Sequence, residues 1–206
     1  LPALPFTALL GAVFVFVIFA LAIHRYDEEQ GIPFAAVTCA IFAGLAFPLM
    51  FSCLLRLRMM PAIGMLQVFL PLAISFGSDT FALFAGMLCG KHKLAPKVSP
   101  KKTVEGLIGG VLSSVIILQL VGLIFTYGIY GGERQANWLS LFIIGFFGAF
   151  VSVLGDLSFS LIKRSCHIKD FGSVIPGHGG ILDRFDSVIF TAPFVYMVTM
   201  LLPIVS

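Results

Sequence analysis

The chain is predicted to be an all-α, polytopic integral membrane bundle of about six transmembrane helices, and three observations carry that prediction. Of its 206 residues, 59% are hydrophobic and only 11% are charged, with a mean hydropathy of +1.05. A soluble domain carries about 25% charged residues. The apolar residues gather into runs of about 20, the length a helix needs to cross a hydrocarbon core of about 30 Å. Short polar loops, several of them rich in Lys and Arg, separate these runs. Backbone groups have no water to bond inside lipid, so runs of this length are expected as helices.

Taken in order, the spans fall at about 4–23, 34–55, 63–88, 106–127, 138–160 and 187–205. The first has no basic residue before it and no small-residue cleavage site after it, so it reads as a spanning helix and not as a signal peptide. Leu1 stands where a complete chain has Met, and an N-terminal portion is therefore expected to be missing. The third span is interrupted by Gly77-Ser78-Asp79, which leaves open a tilted helix, a broken helix or two shorter pieces. Cys39, Cys53, Cys89 and Cys166 show no CxxC spacing, and two of them lie inside apolar runs. Neither a disulfide frame nor a zinc site is expected. No repeat, low-complexity tract or linker divides the chain.

Charge placement orients the bundle. With six crossings, loops 24–33, 89–105 and 161–186 share one face and hold ten of the 13 Lys and Arg. Arg56, Arg58 and Arg134 hold the other face. Positive charge marks the cytoplasmic side, so the two long basic loops are expected to meet the cytosolic pool of nucleotides.

Four constellations carry chemistry. In the first, Asp79 lies within an apolar run, where an ionised carboxylate costs about 2.5–3.5 kcal/mol and needs a partner or water. Helical steps place Ser75, Asp79, Ala82 and Gly86 on one face, which should point into the bundle. The second is Ser99-Pro100-Lys101-Lys102-Thr103-Val104-Glu105-Gly106. A proline turn presents adjacent lysines before a helix that Thr103 can cap and whose free amides attract phosphate. The nearby Gly86-x-x-x-Gly90-Lys91 is one residue short of a phosphate-binding loop and lacks its hydroxyl residue, so it is rejected.

The third constellation, Asp156, Ser160 and Lys163, follows i, i+4, i+7 and shares a helix face, with Arg164 beside it. The fourth is Pro176-Gly177-His178-Gly179-Gly180-Ile181-Leu182-Asp183-Arg184-Phe185-Asp186. Its glycines allow close backbone approach to a ligand. Asp183 and Asp186, three apart, can face one cavity, and hard carboxylates beside phosphate suit Mg²⁺. Neither HExxH nor GxSxG is present, so zinc-protease and serine-hydrolase chemistry lack support. The basic loops are tethered to the membrane and poor in aromatics, and no nucleic-acid partner is expected.

The run S-x-x-K-R-x4-K-D-x-G-x3-P-G-H-G-G-x-x-D-R-x-D, residues 160–186, resembles the signature of the CDP-diacylglycerol synthases, also called phosphatidate cytidylyltransferases. Ser78-Asp79 with Gly86 and Gly90-Lys91, and the block 99–106, agree with it; the matched blocks cover about a third of the chain. The resemblance implies one cytidylyltransferase domain over 1–206, N-terminally incomplete, with its catalytic core at 70–190. It implies transfer of the cytidylyl group of CTP to phosphatidic acid, with Mg²⁺ and an optional second cation, at the cytoplasmic face of a bacterial inner membrane. A homodimer is one open assembly.

Under this resemblance Asp156, Asp183 and Asp186 are the expected metal residues, with Lys163 and Arg164 in the catalytic set. Asp79, Lys101, Lys102, Glu105, Ser160, Gly177, His178, Gly179, Gly180 and Arg184 are the expected substrate contacts. The rival readings are a CTP-dependent polyprenol or phytol kinase and an ion-coupled transporter.

Overall fold

The computed structural model describes residues 3–26, 31–60, 63–172 and 180–205. Six helices and one small hairpin account for them: α1 (Ala3–His24), α2 (Phe34–Arg58), α3 (Gly64–Cys89), β1 (Lys93–Ala95), β2 (Ser99–Thr103), α4 (Val104–Ile129), α5 (Trp138–Ser165) and α6 (Leu182–Leu201). The helices α2 to α6 are long and apolar enough to cross a membrane. In α1 the stretch Ala8–His24 is apolar but shorter. The chain is thus a polytopic helical membrane protein, and the expected spans are met to within a few residues at most ends. The last helix departs most, beginning at Leu182, five residues ahead of the expected 187.

Two compact units form, Leu1–Ser52 and Cys53–Ser206, with the boundary inside α2. In the first, the ring of Phe14 on α1 occupies the space that a side chain at Gly44 on α2 would fill. Residues Phe42–Ala46 form a π-helical turn directly ahead of Pro48. A proline inside a helix offers no N–H and presses on the carbonyl four residues back, here Gly44. The widened turn at that point accommodates both effects.

In the second unit α3, α4, α5 and α6 pack as a four-helix bundle. Its polarity is inverted relative to a soluble protein. Leu83, Leu112, Ile116 and Leu154 are exposed on its outside, whereas Ser75, Ser78, Ser152 and Thr191 are buried. Ser75 Oγ and Thr191 Oγ1 are bonded at 2.9 Å, and Ser78 Oγ donates to Ser152 Oγ at 3.1 Å. Lipid makes an apolar exterior free of cost, and small and hydroxylated residues hold membrane helices together. Towards one end of the bundle, Leu57, Leu70, Ile74, Leu118, Leu141 and Ile144 form an apolar core.

Of the three forms open for the third span, the structure has one continuous helix of 26 residues, roughly 39 Å long. The Gly77-Ser78-Asp79 interruption is tolerated because Ser78 bonds back to the Ser75 carbonyl and across to Ser152. The hairpin was not expected. Two prolines, Pro96 and Pro100, stand in that segment. Proline is compatible only with an edge strand, and in a two-stranded sheet both strands are edges. Lys93 pairs with Thr103 and Ala95 with Ser99.

Candidate active site

The hairpin leads straight into α4, and the junction is built as expected. The Gly106 N–H donates to Thr103 Oγ1 at 3.1 Å, which caps the helix. Ala82 on α3 and Gly106 on α4 are in close approach. A side chain at Gly106 would meet the Ala82 carbonyl at 2.7 Å, so only glycine lets the two helices come together here. Glu105 anchors the start of the hairpin. Its carboxylate accepts from the backbone N–H groups of Lys91 and His92 and lies 2.7 Å from His92 Nδ1. Expected as a substrate contact, Glu105 is bonded here to the Lys91–His92 backbone.

On the other side of the bundle Gly155 sets the distance between α5 and α6. A Cβ there would meet the Asp186 carbonyl oxygen at 3.1 Å and Phe190 Cβ at 3.0 Å. This contact brings Asp156, the next residue, alongside Asp186. The α5 face of Asp156, Ser160 and Lys163 forms as predicted, with Ser160 Oγ donating to Asp156 Oδ1 at 3.4 Å. Lys163 Nζ reaches across to α6 and donates to Asp183 Oδ1 at 2.8 Å. The other oxygen of Asp183, Oδ2, accepts from the N–H groups of Phe171 (2.9 Å) and Gly180 (3.0 Å). Gly180 is glycine for a spatial reason: a Cβ would lie 3.0 Å from Gly172 N and 3.3 Å from Asp183 Oδ2.

These elements enclose a cavity of about 710 Å³. Asp79 from α3, Asp156 from α5 and Asp183 and Asp186 from α6 line it, facing Lys93, Lys101 and Lys102 from the hairpin. Lys102 Nζ is buried and ion-paired with Asp156 Oδ2, without a hydrogen bond of good angle. Ser187 ties two of the acids together. Its Oγ is 3.2 Å from both Asp79 Oδ2 and Asp186 Oδ1, and its N–H donates to Asp186 Oδ1 at 2.7 Å.

Of the expected residues, Asp79, Asp156, Asp183, Asp186, Lys101 and Lys102 thus meet at one cavity. Ser160, Lys163 and Gly180 are bonded to its acids. Arg164 and Arg184 are exposed and outside its lining. Gly177, His178 and Gly179 lie outside the described residues. Ser99, from the second constellation, lines the cavity, and Lys93 and Ser187 belong to the site and were missed. The strand pairing that brings Lys93 opposite Thr103 was the absent signal for Lys93.

The acids suit a hard cation in kind. Asp79, Asp156 and Asp186 line the same cavity, so three carboxyl groups converge there, and Lys102 is the cation paired with Asp156. Among the described residues no three Asp, Glu, His or Cys side chains stand together as a closed metal shell. Mg²⁺ does not require one, because it takes one or two carboxylates and completes its shell with water and phosphate. Asp156 with Asp186 fits that pattern. Both oxygens of Asp183 already have protein partners.

Fold and cavity together define a polytopic membrane protein with a lysine-and-carboxylate site of the kind that handles phosphates. Residues 3–202 match the family described as the Cytidylyltransferase family. A phosphatidate cytidylyltransferase of Rickettsia bellii (strain RML369-C) is 36% identical over 189 residues, which is 92% of this chain and 81% of that protein. Another, of Rickettsia typhi (strain ATCC VR-144 / Wilmington), is 48% identical over 128 residues, 62% of this chain and 56% of that protein. One of Bacillus subtilis (strain 168) is 34% identical over 171 residues, 83% of this chain and 58% of that protein. The chain belongs to the cytidylyltransferase family.

Proposed function

We propose that this protein transfers the cytidylyl group of CTP to phosphatidic acid, giving CDP-diacylglycerol and pyrophosphate. The observation that carries the reading is one cavity in which three hairpin lysines face four carboxylates from three helices. Family membership and relatives named phosphatidate cytidylyltransferase support it. Neither the kinase nor the transporter reading has support of that kind.

A phosphate oxygen of phosphatidate attacks the α-phosphorus of CTP. The bond from that phosphorus to the oxygen bridging the β-phosphate breaks, and pyrophosphate leaves. The nucleophile is already an anion, so no side chain has to take a proton from it. What the site must do is hold two anions together and neutralise charge as the leaving group departs. Lys93 and Lys101 are placed to bind the triphosphate, and Lys102 to pass from Asp156 to a phosphate oxygen. Lys163 neutralises Asp183, and Arg164 and Arg184 draw phosphates towards the site from outside it. Asp79 is held by Ser187 behind the reacting groups.

Asp156, Asp183 and Asp186 are the residues proposed to hold Mg²⁺. Bound there, the ion would supply charge neutralisation for the triphosphate. Leu83 and Met87 line the cavity and are 60% and 64% exposed on the outer face of α3. The diacylglycerol chains therefore reach the site sideways from lipid. The cavity's lysines belong to the Lys- and Arg-rich loops, and positive charge on the cytoplasmic side supports a site that faces the cytoplasm.

The test is the purified protein in detergent with radiolabelled CTP and phosphatidate. CDP-lipid is expected with Mg²⁺ and not after chelation. No CDP-lipid at any Mg²⁺ concentration would overturn the reading.

A further inference from the structure

The motif K-D-x-G spans residues 169–172 and leaves position 171 open. Phe171 fills it, with its backbone and its ring on one ion pair. The course of the chain brings it there. Just after α5, His167 takes a φ of 56°, uncommon for a residue other than glycine. The His167 N–H donates to the Arg164 carbonyl at 3.1 Å, and the Ile168 N–H to the Lys163 carbonyl at 3.0 Å. The chain is thereby turned back at the end of its own helix.

Phe171 then makes three contacts. Its N–H donates to Asp183 Oδ2 at 2.9 Å. Its ring stands at 85° to that of Phe159 on α5, with centres 5.6 Å apart, and Phe159 is fully buried. The Lys163 ammonium lies over the same Phe171 ring, 5.6 Å from its centre, while donating to Asp183 Oδ1 at 2.8 Å. One cation is thus held between a carboxylate and an aromatic ring.

Lys163 has a flexible four-carbon stem, and the bond to Asp183 alone leaves its ammonium free on the other side. The negative face of the ring supplies the second restraint, and such contacts strengthen when water is excluded. The side chains of Lys163 and Asp183 are only 13% and 9% exposed. Asp183 lines the cavity, and a carboxylate there without its cation would repel a triphosphate. Leucine at 171 would keep the backbone bond and much of the packing, but it has no face that attracts an ammonium. We propose that Phe171 is a positioning residue, whose ring holds the Lys163 ammonium on Asp183 and keeps the wall of the cavity ready for the nucleotide. This rests on the reading that the cavity takes CTP.

The test measures equilibrium binding of the α,β-methylene analogue of CTP to the purified protein in detergent at fixed Mg²⁺, beside CDP-lipid formation from CTP. Phe171→Leu is expected to weaken binding about fivefold, and Phe171→Tyr, which keeps the ring, to stay within about twofold of the unaltered protein. Should Phe171→Leu not fold, trifluorophenylalanine incorporated at 171 keeps the shape and removes the negative face, with the same weakening expected. Phe190→Leu controls for packing: its ring meets Phe159 from α6, with centres 6.3 Å apart, and its loss is expected to lower the melting temperature and leave affinity unchanged. Affinity unchanged in Phe171→Leu or in the trifluoro protein overturns the proposal, and so does an equal weakening in Phe190→Leu. Unaltered protein that binds no analogue overturns both this proposal and the reading it rests on. Binding without CDP-lipid overturns the proposed reaction alone.

Discussion

Asp156 is the residue on which the site turns, because it shares the cavity with the other acids and is paired with the hairpin. Lys102 pairs with it from the hairpin, Ser160 donates to it from one turn along α5, and Asp186 and Asp79 line the same cavity from other helices. Asp156→Asn is expected to lower CTP turnover about 100-fold or more. It leaves Lys102 buried without its partner, so Asp156→Asn combined with Lys102→Ala should be far less than additive. Steady-state kinetics of the two single variants and the double variant check this. Asp183→Asn is expected to reduce turnover at saturating Mg²⁺ by about 100-fold, and near-normal turnover there removes Asp183 from the metal proposal. The α5 face was legible because Asp156, Ser160 and Lys163 are close in sequence and obey helical spacing. The bond of Glu105 to the Lys91–His92 backbone was not, since it spans 13 and 14 residues across a turn whose course no local pattern gives.

At the scale of elements, helix ends and helix contacts position these side chains. Thr103 closes β2 and opens α4, so the lysines before it are fixed relative to the helix. Thr103→Ala removes the cap and is expected to cost about 1 kcal/mol of stability, read as a lower melting temperature in detergent, together with a raised KM for CTP. Gly155→Val places a side chain against Phe190 and the Asp186 carbonyl and forces α5 from α6. Overpacking of this kind costs about 1–3 kcal/mol. Turnover should fall more in Gly155→Val than in Gly155→Ala, although neither touches a substrate. Hydropathy predicted the helices well because burial in lipid demands length and apolar composition, both of which are local. The hairpin escaped because its strands are short and the second bears a proline.

At the scale of the whole molecule, the distribution of Lys and Arg predicts an orientation, and the continuous α3 keeps the count of crossings on which it rests. A break into two crossings would have reversed every loop after it. In cells expressing a cysteine-free background, Arg134→Cys is expected to react with a membrane-impermeant maleimide from outside. Lys97→Cys is expected to react only after permeabilisation. The opposite pattern would put the lysine-rich cavity on the side without CTP. The central claim is that the α-phosphoryl group of CTP moves to the lipid, and label position tests it most directly. Purified protein is given phosphatidate with CTP labelled at either the α- or the γ-phosphorus, and the lipid is extracted. The account predicts that α-label appears in the lipid and γ-label in pyrophosphate. A lipid carrying γ-label, with CDP as the soluble product, would contradict it.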